Sequence, residues 1–314
     1  MFKLVVRRLL YAIPMIIITT FIVFSFILLI PGDPALTILG DNATDETIAL
    51  LNAELGLDRP IYIQYFEWIS NALQGDLRKS IFTGQEVSEA VFGRLGITIQ
   101  LVLYAVFIAT VAGMFLAVIS IFYHNTLIDY IARFISTLGT AIPNFWLALI
   151  LVMVFTFTFT LFPATGFTSF FDSPLGFLKS ATLPAVSLSS AGVAQITRQL
   201  RSSLIEVMES DYIRTAYSKG LRKMTVISSH AVQNGMLPVI TSIGLLFGNM
   251  LGATVVVETI FAIPGIGQLA VNSILQRDFI MLQGVVLVMI FFAILINFII
   301  DLLYSILDPR IELK

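Results

Sequence analysis

Six apolar runs decide what this 314-residue chain can fold into. The cleanest covers residues 9–30 and contains no charged side chain. A bilayer core about 30 Å thick needs roughly 20 apolar residues at 1.5 Å each. Further runs of that order lie near residues 97–122, 134–162, 183–204, 237–257 and 280–300. The pattern predicts an all-α membrane protein with six transmembrane helices. Composition agrees: 57% of the residues are hydrophobic and only 12% charged, about half the charge that coats a soluble domain. The same figures exclude an intrinsically disordered chain. Absence of cysteine excludes a disulfide scaffold and thiolate chemistry, and two histidines are too few to suggest a zinc centre. With 18 basic and 20 acidic residues there is no basic excess to attract nucleic acid.

The fourth run differs from the others. Ser187, Ser189, Ser190, Gly192, Gln195 and Arg198 break it, so it suits a helix facing neighbours or a wet pathway rather than lipid. Close packing and pathway lining both remain open for it.

Lys3, Arg7 and Arg8 precede the first run and place the N-terminus in the cytoplasm. That run is too long for the core of a cleaved signal peptide and no A-x-A site follows it, so an uncleaved first helix (residues 1–30 with its basic start) is expected. Pro31-Gly32-Asp33-Pro34 ends it. Six spans put the C-terminal tail, residues 308–314, inside as well. Residues 31–96 then form an extracytoplasmic insertion, too long for a simple connector. Two helices are expected in it. Residues 44–55 carry Asp45 and Glu46 in the first turn and Gly56 after the end, and residues 61–73 start behind Pro60 and stop near Gly75. Tyr62, Tyr65, Phe66 and Trp68 give the second helix something to pack. Residues 97–307 make up the remaining five-helix core, which includes a cytoplasmic loop at about 205–236.

That loop holds the sharpest local signal. Asp211 is placed to cap a short helix through Lys219, and Gly220 suits a left-handed residue after its end. Tyr212 with Ala216, and Ile213 with Tyr217, are spaced i,i+4 and share a face. A helix of two turns is marginal alone in water, so it needs a surface to dock on. Arg214, Lys219, Arg222 and Lys223 surround it with positive charge. Spacing alone leaves two docks open: the lipid surface or a groove on a partner protein.

The stretch Asp211-Tyr-Ile-Arg-Thr-Ala-Tyr-Ser-Lys-Gly-Leu221, followed by His230-Ala231 and Leu237-Pro238, resembles the EAA loop of bacterial ABC importer permeases. More narrowly, it is similar to the dipeptide, oligopeptide and nickel branch, in its first, B-type permease subunit. Arg214 and Thr215 stand where the wider motif has Glu and Ala, as in that branch. Other matching blocks follow in order along nearly the whole chain. They are Pro31-Gly-Asp-Pro-Ala35, Leu55-Gly-Leu-Asp58 with Pro60 and Gln64-Tyr65, Pro143-Asn-Phe-Trp146, and Val257-Glu-Thr-Ile-Phe261 with Pro264-Gly-Ile-Gly-Gln268. Arg277-Asp278 and Asp308-Pro-Arg-Ile311 complete the series.

The resemblance implies a type I importer permease in a bacterial cytoplasmic membrane. Its partners would be a second homologous permease, two cytoplasmic ATPases that bind ATP and magnesium, and an extracytoplasmic solute-binding protein. By the same implication Tyr212, Ile213, Thr215, Ala216, Lys219, Gly220 and Leu221 form the coupling helix held by an ATPase. The cargo implied is a short peptide, with a nickel chelate as the alternative. This chain has no G-x-x-x-x-G-K-[ST] loop, so it is expected to bind no nucleotide and no other cofactor. An ion-driven symporter would show internal repeats and midplane charges. An intramembrane enzyme would show a nucleophile–base pair or metal cluster in the spans. Neither pattern is visible in the sequence.

A few residues at membrane depth complete the reading. Gly244, Gly248 and Gly252 form a small-residue stripe suited to close helix packing, with Asn249 beside it. Glu258, near the outer end of the fifth span, is a gate candidate or the partner of Arg277. Arg198 and Arg201 lie level with Asp301, which follows Asn297 by one turn, and structural ion pairs are expected there, with substrate binding as the alternative. Asn144, behind Pro143, marks a kink in the third span, and Gln195 is a further pathway candidate. Sorted by this topology, inner segments hold 12 bases and 7 acids, and outer segments 6 bases and 13 acids.

Overall fold

The computed structural model describes residues 13–22, 24–25, 39, 43–80 and 82–307. Among them every extended element is a helix, and the only strand-like pairing is one bridge between Lys79 and Glu86. The chain divides into two compact units: residues 1–97 with 264–295, and residues 98–263 with 296–314.

The first unit contains α1 (Ile13–Ile22), α2 (Asp45–Leu55), α3 (Ile61–Leu73), α12 (Ile266–Gln276) and most of α13 (Phe279–Leu307). It also takes the first turns of α4 (Val87–Phe122). Both helices expected within residues 31–96 form. Thr44 caps α2 by accepting from the Thr47 amide at 3.2 Å, and Gly56 closes it at φ 71. Of the aromatic set on α3, Tyr65 and Trp68 are buried with Phe24, while Tyr62 and Phe66 are exposed. The Tyr65 hydroxyl meets the Thr20 hydroxyl at 2.8 Å and donates to the Ile17 carbonyl at 3.2 Å, which binds α3 to α1 by polar contacts inside an apolar setting. Asp278 caps α13 by accepting from the Met281 amide at 3.1 Å, and it takes the Ser80 hydroxyl from the loop before α4. Gly284 lets α13 approach α4: a Cβ there would lie 2.2 Å from Val87 Cγ1.

The second unit is built around α7 (Pro174–Met208), a 35-residue helix packed against α5 (Leu127–Ala141), α6 (Asn144–Leu151) and α11 (Leu237–Ile260). Its serines explain how so polar a run is tolerated. Ser187 and Ser189 are buried and donate to the Pro184 and Val186 carbonyls of the same helix, at 2.8 and 3.0 Å. Small residues carry the contacts. A Cβ on Gly139 would lie 2.3 Å from the Ser190 carbonyl oxygen, and one on Gly113 2.8 Å from Ile196.

Among the described residues three helical stretches are long and apolar enough to cross a bilayer: Val87–Phe122, Pro238–Ile260 and Phe279–Ile300. The third run, expected as one kinked span, is broken instead. Leu127–Ala141 and Asn144–Thr158 meet at 106°. Ile142 is extended at ψ 121 because the residue before a proline is pushed out of the helical region, and Pro143 at ψ 139 continues that path. The helix beyond the break turns into a π-helix over Val152–Thr158. Much of the first run, the Pro31–Ala35 block and the tail at 308–314 lie outside the described residues.

Candidate functional site

The loop after α7 folds into α8 (Asp211–Ser218), α9 (Lys223–Val226), a π-helical stretch over Ile227–Ala231, and α10 (Val232–Gly235). α8 has the expected length of eight residues but is shifted one residue toward the N-terminus, covering Asp211–Ser218 where 212–219 was expected, with Lys219 as its C-cap. Ser210 occupies the cap position at ψ 151, and Asp211 is the first helical residue, where its charge faces the positive end of the helix dipole. The end is a Schellman closure: Leu221 N–H donates to the Ala216 carbonyl at 3.3 Å and Gly220 N–H to Tyr217 at 2.9 Å. Gly220 sits at φ 79, the left-handed region expected of it.

The two i,i+4 pairs do not define the buried face. Ile213 and Ala216, spaced i,i+3, are the buried residues, and α8 lies against α9. Tyr212 and Tyr217 remain 45% and 39% exposed. The Tyr212 hydroxyl accepts a 3.1 Å hydrogen bond from Asn234 Nδ2, so the loop supports α8 from a second element. The candidate coupling set therefore splits. Ile213 and Ala216 hold the helix to its own chain, whereas Tyr212, Thr215, Lys219, Gly220 and Leu221 are open to a partner.

Two polar links tie this region to the turn between α4 and α5. Lys223 Nζ donates to the Phe122 carbonyl, the end of α4, at 2.5 Å. Arg201 was expected to pair with Asp301. It pairs instead with Asp129 on α5, from Nε at 3.3 Å and Nη2 at 3.2 Å. Its Nε also donates to Ser120 Oγ at 2.7 Å, and Ser120 passes its own hydrogen to Asp129. The Asp129 carboxylate is fully buried and is further met by the Asn125 amide at 3.2 Å and by Arg133 at 3.2 Å. Three hydrogen-bond donors, from Arg201, Ser120 and the Asn125 amide, together with the nearby Arg133 charge, offset the cost of burying the carboxylate. Sequence reading missed Asp129. An aspartate in the first turn of a helix usually reads as a dipole partner, and the amphipathic pattern of α5 was the available sign that this end packs inward. The Asp301 side chain lies outside the described residues.

Arg198 is exposed and makes no ion pair among the described residues. It lines an open polar cleft of about 500 Å³ along the second half of α7, with Gln195, Ser202, Ser203 and Glu206, and with Gln199 and Pro238 also in its lining. Gln199 is fixed as a wall, donating to the Pro238 carbonyl at 3.0 Å and accepting from Ser242.

The remaining candidates fall in different places. Glu258 is fully buried and takes the Thr98 hydroxyl at 2.6 Å, so its carboxylate is held within the second unit. Asn144 accepts from Ser190 Oγ at 3.1 Å, a bond across the broken span to α7. Asn249 is exposed. The glycine stripe packs at one end only: a Cβ on Gly244 would lie 2.6 Å from Ile300, the nearest atom to Gly248 would be Asn297 Oδ1 at 3.8 Å, and Gly252 faces open space. No group of His, Asp or Glu suited to a metal ion occurs among the described residues.

Three helices among the described residues have the length and apolar character of membrane spans, as in an integral membrane protein, and a short helix followed by Lys219, Arg222 and Lys223 comes after the polar α7. The family described as "Binding-protein-dependent transport system inner membrane component" matches residues 109–313, and its N-terminal companion matches residues 1–102. A Brucella suis chain named for a peptide transport system permease is 40% identical over 312 residues, 99% of both chains. The dipeptide transport system permease protein of Alkalihalophilus pseudofirmus is 38% identical over 98% of both chains. The glutathione transport system permease protein of Escherichia coli K12 is 35% identical over the full length of both. Among solved structures, an amino acid ABC transporter crystallised with histidines shares the fold, with a TM-score of 0.53 and 16% identity over 69% of this chain and 94% of that one. The chain belongs to the family of binding-protein-dependent transport system inner membrane components, and is a permease subunit of an ABC importer. It is a transport component and not itself a catalyst.

Proposed function

We propose that this chain forms half of the translocation pathway of an ATP-driven importer of short peptides, with cargo delivered by an extracytoplasmic solute-binding protein. The observation that carries the cargo is the end-to-end similarity to chains named for peptide, dipeptide and glutathione transport. None of those three is named for nickel.

In this reading six spans place both termini in the cytoplasm, residues 31–96 form an outer insertion, and the broken pair α5–α6 with its π-helical extension supplies the third span. The loop at 205–236 lies inside, where α8 enters a groove on one of two ATPases. A second permease completes the pathway. Two features support α8 in that role: its own chain already holds it by Ile213 and Ala216, so its outer face is left for a partner, and that face combines Tyr212, Tyr217 and Leu221 with the basic Arg214 and Lys219. Closure of the ATPase pair would pull α7 and α11, which flank the loop, and so change which side of the pathway is open. Asn144, Gln195, Asn249 and Glu258 are the candidate pathway and gate residues.

The test is reconstitution. The chain, its second permease and the ATPases co-purify in mild detergent, and proteoliposomes take up a short peptide only with ATP and the binding protein. Uptake that follows a proton gradient without the ATPases would replace this reading with a symporter.

A further inference from the structure

The cleft on α7 contains one cation and one anion that do not meet. Arg198 and Glu206 both line it, and neither side chain has a hydrogen bond or ion pair among the described residues. They stand eight residues apart on one continuous helix, a rise of about 12 Å. Between them Ser202 and Ser203 present hydroxyls that are also unbonded among the described residues. In a chain with 12% charged residues, such a set on a helix with a buried, close-packed first half is not a generic polar surface. Arg198 lies within the fourth apolar run, where a cation is costly unless a partner or a wet path meets it, and Glu206 stands just past that run, where α7 enters the loop.

We propose that this cleft is a transit site for short zwitterionic peptides, in which Arg198 takes the terminal carboxylate and Glu206 the terminal ammonium group. The dimensions agree. An extended chain spans about 3.3–3.6 Å per residue, so three residues reach about 10–11 Å, and the two flexible side chains accommodate one residue fewer or more. A volume of about 500 Å³ suits a ligand of that size. A guanidinium offers a carboxylate two parallel donors, which a neutral amide end cannot match. Ser202 and Ser203 are spaced to bond the peptide backbone, which every peptide carries, so the site reads the two ends and leaves side chains unread. Selection among sequences then falls to other parts of the importer. This proposal rests on the peptide-importer reading and adds a site to it.

Because the chain contains no cysteine, a single Ser202→Cys variant, assembled with cysteine-free partner subunits and first shown to import tri-alanine, gives a site-specific reporter in proteoliposomes. Its modification by a small charged methanethiosulfonate reagent is followed with tri-alanine, tri-alanine amide or N-acetyl-tri-alanine present at millimolar concentration. Tri-alanine is expected to slow modification at least fivefold and both blocked forms to have less than a twofold effect. In the Arg198→Gln background protection by tri-alanine disappears, and Arg198→Lys restores part of it. Equal modification rates with and without tri-alanine, in a complex that imports tri-alanine, overturn the cleft proposal, as does equal protection by the blocked forms. A wild-type complex that imports no peptide overturns the cargo reading instead. If Arg198→Gln fails to assemble, the comparison of the three peptides on Ser202→Cys alone decides the question.

Discussion

Arg201 and Asp129 lie 72 positions apart in the chain and meet through two parallel contacts, Nε to Oδ1 at 3.3 Å and Nη2 to Oδ2 at 3.2 Å. The pair joins α5 to α7 ten residues before α8 begins, with Ser120 of α4 bonded to both partners. It therefore fixes the base from which the exposed helix is presented.

Removing one side of that pair leaves the other charge buried and poorly matched, which costs about 3–5 kcal/mol where no other group compensates. Arg201→Met should lower the thermal midpoint of the purified complex and the yield of assembled chain. Arg133 and Ser120 remain on Asp129, so the loss falls toward the lower end of that range. Asp129→Asn in the same background should recover part of it, because the uncompensated charge is then gone. A double variant no more stable than Arg201→Met would show that the pair does not bear on stability.

Gly220 separates backbone geometry from space. Its φ is 79 and a Cβ there would touch nothing within 4 Å, so a substitution acts through conformation alone. A β-branched residue in the left-handed region costs about 1–2 kcal/mol, enough to unwind the Schellman closure of a two-turn helix. Gly220→Val should reduce ATP-driven uptake at least tenfold at unchanged membrane insertion, whereas Gly220→Asn, a residue tolerated in that region, should keep most of it. Uptake per inserted chain is the measurement. Normal transport by the valine variant would remove α8 from the coupling role.

The split of α8 into two faces gives a second contrast. Ile213 is fully buried, and truncating such a residue costs about 2–5 kcal/mol. Ile213→Ala should lower the thermal stability of the chain even without ATPases present. Tyr217→Ala, on the open side, should leave that stability within about 0.5 kcal/mol and reduce the amount of ATPase that co-purifies. Identical behaviour of the two variants in both assays would contradict the division.

What the sequence made legible follows from how local each signal is. Thr44 and Gly56 around α2, Pro60 before α3 and Gly220 after α8 act on their own turns, and each sits where its punctuation role requires. The face of α8 was read less well, because Tyr217 at i,i+4 and Ala216 at i,i+3 from Ile213 are equally good neighbours on a bare helix. Only the packing of the folded chain chooses between them. The partner of Arg201 was not readable at all, since Asp301 and Asp129 are both acids at a suitable depth and the choice depends on how α5 folds back at Pro143. On sequence alone that break reads as a kink, although the extended geometry of Ile142 follows from its position before a proline.

The glycine stripe of α11 offers the sharpest test of packing, because its members share a spacing and differ in surroundings. A Cβ on Gly244 would lie 2.6 Å from Cγ1 and 2.7 Å from Cγ2 of Ile300, so the neighbour cannot give way by turning one atom aside. Gly252 has nothing within 4 Å. Overpacking of this kind costs about 1–3 kcal/mol. Gly244→Ala should therefore destabilise the chain by that amount in a thermal or denaturant assay. Gly252→Ala should match or slightly exceed the parent, since alanine is the better helix former. Ile300→Ala should relieve Gly244→Ala, making the double variant less damaged than the sum of its parts, the sign of direct contact. Additive losses would mean that α11 and α13 adjust by moving apart, and that the stripe serves a surface other than Ile300.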